Sequence, residues 1–281
     1  MAHSQSEGDL HQVSRGHVAR TGVWYRPVPG LELLSTNRIA HRFPIHAHDS
    51  YTIPIVRSGV MNSFYRGRMN RLCPSNLDVL LPGEPHTGEP GSRNGWSYDC
   101  LYLSRELVSK ISAEFSCEGM RPDMSRPFNG AATISALRGL CGSIIVGDAM
   151  LDIDVALRGS IAKLWSLHGL EYGMGRQLDE NAKMRTVRAY IDEYFDKSIA
   201  IDEIADLVGL NPIYLVRAFR QIYGLPPQTY QRRVRIERAK EALRKGLTIA
   251  DVAVTMGFAD QSHFTRQFKA FVGTTPGVYR H

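Results

Sequence analysis

The chain has 281 residues, 43% hydrophobic and 22% charged, with a formal net charge of +6, which places it among ordinary globular proteins and at a length that favours two domains over one. No stretch approaches the roughly 18 uninterrupted apolar residues of a membrane helix, and Met1 to Arg20 lacks the apolar centre of a secretory signal, so a cytoplasmic protein with no membrane partner is expected. The scattered cysteines, Cys73, Cys100, Cys117 and Cys141, form no C-x-x-C pair and read as buried thiols rather than a disulfide framework or zinc knot.

Residues 1–22 read as a flexible arm. Over 23–104 short runs of Val, Ile, Leu, Tyr and Phe alternate with turn pairs such as Pro29-Gly30, Ser58-Gly59, Pro82-Gly83 and Pro90-Gly91. That rhythm predicts an antiparallel barrel or sandwich, with Leu77–Leu81 as a buried strand. Within it lies an H-x-H pair, His46 and His48. Alternate side chains of a strand share a face, so the two imidazoles converge; a third histidine, His86, follows later. From 105 to 170 apolar residues recur at three- and four-residue intervals, predicting helices over Arg105–Phe115, Thr133–Val146 and Val155–Leu170. Their apolar faces suit packing on the barrel or on a second subunit. Gly173 and Gly175 mark 171–180 as a linker.

From 181 to 281 the pattern is all helical, and it repeats. Ala205 with Gly209-Leu210 corresponds to Ala253 with Gly257-Phe258, at an offset of 48. Leu215, Arg217, Phe219 and Arg220 correspond to Phe264, Arg266, Phe268 and Lys269, and Gly224, Pro227 and Tyr230 to Gly273, Pro276 and Tyr279, at an offset of 49. A small residue lets two helices cross closely. A glycine four residues on suits the left-handed backbone that ends a helix. Asn211 and Asp260 are placed to cap the next helix, and Pro212 suits its first turn. This is the chemistry of two helix-turn-helix units in an α+β protein of two domains. A helix over Pro227–Lys245, studded with Arg232, Arg233, Arg235, Arg238 and Arg244, joins them. Residues 183–281 hold 16 basic and 10 acidic side chains, whereas 1–182 hold 18 of each. The whole cationic excess therefore lies in the repeat, where it would draw a polyanion. The bland alternative is a helical hairpin repeat that binds another protein.

The stretch Ile249–Phe258, followed by Ser262–Lys269 and Gly273–Arg280, resembles the AraC/XylS family of transcription regulators, and the resemblance covers about 183–280. It implies that the second helix of each unit enters a major groove of double-stranded DNA. The base-reading positions it implies are Ile213, Val216 and Arg217 in the first unit and Gln261, Ser262, Thr265 and Arg266 in the second. Arg220 and Lys269, one residue past a core phenylalanine, suit phosphate contact or plain solvation rather than base readout. Ile213 and Val216 are apolar, which suits thymine methyls and shape. The family often has Ser or Thr before the leading helix of the first unit; Ala200 stands there, so that cap comes from a neighbour such as Ser198 or is absent.

The order His46, His48, His86 resembles the two motifs of a cupin barrel, which in this family binds the effector. The implied small-molecule pocket is His46, His48, Tyr51, His86, Trp96 and Tyr65. Cupin enzymes add a glutamate that would fall near Thr52 or Ile53, and neither is such a ligand. The expectation is therefore no catalytic residue and no cofactor, with His46, His48 and His86 the candidates should a metal be held. The implied function is an effector-responsive activator, a homodimer that works with RNA polymerase. The alternatives are a metal-dependent cupin enzyme fused to a DNA-binding tail and a regulator without ligand.

Overall fold

The structure, a computed structural model, describes residues 22–25, 28–115, 121–122, 127, 129–167, 170–171 and 182–280. Eight strands make the N-terminal part: β1 (Gly22–Tyr25), β2 (Leu31–Ile39), β3 (Phe43–His46), β4 (Tyr51–Gly59), β5 (Met61–Tyr65), β6 (Arg68–Leu72), β7 (His86–Pro90) and β8 (Trp96–Leu103). They form two antiparallel four-stranded sheets, ordered β1-β2-β8-β4 and β3-β7-β5-β6. The β5–β6 hairpin turns through Arg66-Gly67, both at positive φ, the twist that two-residue hairpins need. Leu77–Leu81 is buried as expected but is not a continuous strand: Leu77 and Leu80 are single bridge residues, Leu80 with Thr52.

The strand β8 explains how the layers stack. Nearly every residue in it is buried because both of its faces are covered. Leu101 and Leu103 join Leu33, Ile53 and Ile55 in a core shared with three helices, α1 (Arg105–Glu114), α2 (Ala131–Val146) and α3 (Met150–Leu167). In that core Leu137, Leu140, Cys141 and Ile144 of α2 meet Ile153, Leu157, Ile161 and Leu164 of α3, the i, i+3, i+4 stripe of an amphipathic helix. The α3 helix begins five residues earlier than its periodicity suggests and ends earlier too. Two-residue strands β9 (Arg121–Pro122) and β10 (Leu170–Glu171) pair beside it. On the other face of β8, Trp96, Tyr98 and Cys100 belong to a core that continues into the C-terminal domain.

That domain comprises α4 (Ala182–Glu193), α5 (Ile201–Leu207), α6 (Pro212–Tyr223), α7 (Pro227–Arg244), α8 (Ile249–Thr255), α9 (Gln261–Val272) and α10 (Pro276–Arg280). Ile204, Leu215, Phe219 and Tyr230 build the core of the first unit. Phe264, Phe268, Phe271 and Tyr279 build the second, together with Phe43, Trp96 and Tyr98 of the barrel. Cys100 and Cys141 are buried and Cys73 is half-buried. The expected arm at 1–21, Cys117 and most of the expected linker (172–180) lie outside the described residues.

Candidate nucleic-acid interface and a histidine seam

Each unit is shaped by a few local choices. Ala205 and Ala253 are fully buried where their helices cross. Gly209 and Gly257 adopt φ of 60° and 72°, as the turn requires. The side chain of Asn211 accepts from the Ile213 N–H at 3.0 Å and the Tyr214 N–H at 3.4 Å, and that of Asp260 accepts from the His263 N–H at 2.6 Å. These satisfy donors that a helix start leaves open. Ala200 leads α5 with no side-chain cap.

The second helix of each unit then divides by periodicity. On α6, Leu215 and Phe219 point inward while Ile213, Arg217 and Arg220 are exposed. Val216 is half-buried and leans on the core of the first unit, so less of it faces solvent than of Ile213. On α9, Phe264 and Phe268 are buried, Gln261, Ser262, Arg266 and Lys269 are exposed, and Thr265 is half-buried. Tyr214, 58% exposed beside Ile213, escaped the sequence reading. Its place in the first turn of α6 is the signal that could have found it.

The cations of α7 overturn one expectation. They were expected to add to the face that meets a polyanion, yet most are engaged by partners within the protein, although Arg238 and Arg244 also stay exposed. Arg233 donates to Asp49 Oδ1 at 2.7 Å. Arg235 donates to the carbonyls of Phe195 (2.6 Å), Lys197 (2.8 Å) and Gly257 (2.6 Å). Arg238 reaches the Asp192 carbonyl at 3.0 Å and lies over the Phe195 ring. Arg244 donates to Glu32 and, at 2.7 Å, to Tyr279 Oη. The reason is position. The α7 helix runs through the centre of the domain, so its long side chains meet helix-end carbonyls and barrel carboxylates before they meet water. Arg232 remains exposed.

The three histidines do converge. Ring centroids are 4.8 Å apart for His46–His48, 4.4 Å for His46–His86 and 5.2 Å for His48–His86. One ligand atom from each lies within 4.8 Å of the others, and all three residues are buried. His46 Nδ1 donates to the Pro44 carbonyl at 2.7 Å and His86 Nδ1 to the Glu84 carbonyl at 3.0 Å. A carbonyl only accepts, so Nδ1 carries the proton and Nε2 keeps a lone pair. Burial pushes His46 down to about 4 and holds His48 and His86 well below the usual histidine range. The imidazoles are neutral at pH 7, the form that ligates metals.

The other pocket candidates stand apart from this cluster. Tyr65 is the register partner of His86, but its hydroxyl turns away to Glu84 Oε2 at 2.5 Å and accepts from the Leu81 N–H. Trp96 is fully buried and stacks on Tyr98, reaching the histidines only through Phe43. Tyr51 packs against the core shared with α1–α3. What the histidines face instead is the C-terminal domain. A cleft no larger than a water or an ion is lined by His48, Tyr102 and Glu32 of the barrel and by Glu237, Lys240 and Phe271 of the helices. Nothing local in the sequence marks the last three, because they come from a different domain.

This seam is also where the halves are fastened. Glu32, on β2, is 7% exposed. It accepts from Arg244 and from Tyr279 Oη at 3.0 Å, with Lys240 Nζ at 3.6 Å. Two glycines that correspond in the repeat seat α6 and α9 on the barrel. Gly224, ending α6, lies so close to Pro85 that any side chain there would overlap it, and Gly273, ending α9, stands in the same relation to the Phe43 ring. Pro85 adjoins His86, and Phe43 shares β3 with His46.

Comparison with known proteins agrees with both halves. The profile of an AraC-like ligand binding domain matches residues 28–139, and that of a helix-turn-helix domain matches 204–281. Among similar proteins, the HTH-type transcriptional activator AarP of Providencia stuartii is 36% identical over 95 residues, spanning 34% of this chain and 70% of its own. The HTH-type transcriptional activator RhaS of Escherichia fergusonii is 25% identical over 246 residues (85% of this chain and 87% of its own). The HTH-type regulator YbfI of Bacillus subtilis is 24% identical over 229 residues (80% and 82%). In fold, a crystal structure of ToxT from Vibrio cholerae superposes over 89% of this chain and 96% of its own with a TM-score of 0.58 at 14% identity. With a ligand-binding barrel, two capped helix-turn-helix units and relatives that span most of its length, the chain belongs to the AraC/XylS family of transcription regulators.

Proposed function

We propose that this chain is a sequence-specific DNA-binding activator whose response to a small effector is set at the seam between barrel and reading helices. The carrying observation is the pair of exposed faces on α6 and α9, each bearing cationic side chains and presented by a capped helix whose opposite face is locked in a core. Arg217 and Arg266 are the fork-shaped donors suited to guanine; Ile213 and Tyr214 suit thymine methyls. Arg220 and Lys269 stand where phosphates pass. Both reading helices end against the barrel, so an effector that favours one seating of β3 and the Glu84–His86 loop changes the angle at which they are offered to DNA. Without such a preference it would change nothing. The effector contacts we favour are His46, His48 and His86; Tyr51, Tyr65 and Trp96 would support the pocket from behind. We read the protein as a non-enzyme that acts in the cytoplasm with RNA polymerase. Among the described residues no helix is long and apolar enough to cross a membrane.

The test is direct. In a mobility-shift titration on an operator selected from random duplex, Arg266→Ala is expected to weaken binding by about 1–3 kcal/mol and to relax preference at one base pair. Unchanged affinity and preference would remove α9 from the interface. Arg220→Ala is expected to weaken all duplexes alike and to reduce the salt slope.

We further propose that a second copy docks on the α2–α3 hairpin. Val146 (79% exposed), Met150, Leu151 (72%) and Val155 form an apolar ridge there, more than isolated surface side chains supply. A two-fold pair would also match the two half-sites such proteins read. Leu151→Glu with Val155→Glu is expected to shift sedimentation from dimer to monomer with the circular dichroism unchanged; a monomeric parent protein would refute the interface.

A further inference from the structure

We propose that His46, His48 and His86 hold one zinc-like divalent transition-metal ion and that Glu237, from the DNA-reading half, supplies its fourth ligand. The ion would then staple α7 to the barrel. This deepens the effector reading by naming the ligand class of that seam, and it rests on that reading only for its regulatory consequence, since metal binding is measured without DNA.

The chemistry of the donor set carries the proposal. Imidazole is a preferred ligand of zinc and its neighbours, bound at about 2.0–2.1 Å. Three buried rings with ligand atoms within 4.8 Å of one another lie close to such a shell; ligands on a tetrahedral zinc are about 3.4 Å apart, so the cluster closes with shifts on the order of an ångström. Two of the rings are aimed in the way metal ligands are aimed, with Nδ1–H anchored on the carbonyls of Pro44 and Glu84 and Nε2 left for the ion. Two of these anchored rings and the buried ring of His48 thus converge on one point between barrel and α7.

The fourth position follows from the neighbourhood. No acidic residue occupies the barrel positions Thr52 and Ile53. A carboxylate comes instead from α7, where Glu237 Oε1 is 4.0 Å from His48 Nδ1. Glu237 also faces Lys240 Nζ at 3.4 Å, so the ion must compete with that ammonium. Lys240 has an alternative partner in Glu32 at 3.6 Å, which leaves Glu237 free to turn. The consequence is mechanical. His46 shares β3 with Phe43, the seat of Gly273, and His86 follows Pro85, the seat of Gly224. An ion that draws the histidines toward α7 tightens the ends of both reading helices at once.

The full-length protein, stripped with chelator and dialysed, would be titrated with zinc chloride by calorimetry, with elemental analysis of the product. One equivalent per chain and a raised melting temperature are expected. His46→Asn and His86→Asn should each abolish binding, with unchanged circular dichroism showing that the fold survives. Glu237→Gln should keep the stoichiometry but weaken affinity by tenfold or more. With cobalt(II) in place of zinc, the visible bands of a tetrahedral site should appear in the parent and change in Glu237→Gln, a readout that mere destabilisation would not give. Absence of saturable binding, or binding that survives both histidine substitutions, overturns the site; unchanged affinity and spectrum in Glu237→Gln overturns the bridge. Operator binding by the metal-free protein tests the regulator reading separately, so the two can fail independently.

Discussion

Glu32→Ala is expected to cost about 3–5 kcal/mol, the usual penalty for removing one partner of a buried ion pair, and to uncouple the two halves of the molecule. Glu32 is 7% exposed and so is Lys240. Burial pushes the Lys240 ammonium toward neutrality, but Glu237 and Glu32 outweigh it and its pKa is raised. Without Glu32, Lys240 keeps one carboxylate, while Arg244 and the Tyr279 hydroxyl lose their barrel partner. The stranded cations sit on α7, and separation of the halves returns them to water. The expected result is therefore a thermal scan that splits, with barrel and helical domain melting apart. Glu32→Gln paired with Lys240→Met, which removes both charges, should restore much of the loss, since apolar replacement of a buried pair is often neutral. A single transition at the parent temperature in Glu32→Ala would show that the latch contributes nothing.

The second large effect is expected at Gly257. Gly209 and Gly257 occupy equivalent turns with similar positive φ, so alanine strains the backbone at both by about 1–2 kcal/mol. Their surroundings differ. A side chain at Gly209 meets only the end of Lys183, whereas one at Gly257 runs into the backbone of Asp196, which cannot move away. There the Arg235 guanidinium fastens the Phe195–Lys197 loop to the Gly257 carbonyl, locking one unit to the other. Overpacking adds about 1–3 kcal/mol, so Gly257→Ala should lose about 2–5 kcal/mol in urea unfolding and Gly209→Ala no more than about 2. Equal losses would mean that the contact with Asp196 relaxes freely. Because Gly257 sits between the units, its variant should also lower operator affinity more than its stability loss alone accounts for.

What could be read from the chain alone was whatever is decided within one or two helical turns. Asn211 and Asp260 cap because a short polar side chain before a helix reaches the second or third N–H. Gly209 and Gly257 end helices because only glycine takes that backbone without strain. Leu215 and Phe219, four apart, point inward and leave the reading face outside. His46 and His48 do come together, but not by strand alternation: β3 ends at His46 and His48 follows outside it. Leu77–Leu81 misled because a run of apolar residues reports burial, not pairing, and a strand also needs a partner in register.

The tertiary structure alone decided which cations are spent. The α7 arginines look alike in the sequence, yet Arg233, Arg235, Arg238 and Arg244 bond to groups on other elements while Arg232 donates to Thr229 of its own helix. It also decided that His48 faces Glu237, nearly two hundred residues further along the chain, and that Gly224 and Gly273 rest on Pro85 and Phe43. Periodicity and capping extend only over the residues a helix or strand brings side by side. The seam depends on where two independently patterned domains meet, and that is set by the shape of their buried surfaces, which no short stretch of sequence contains.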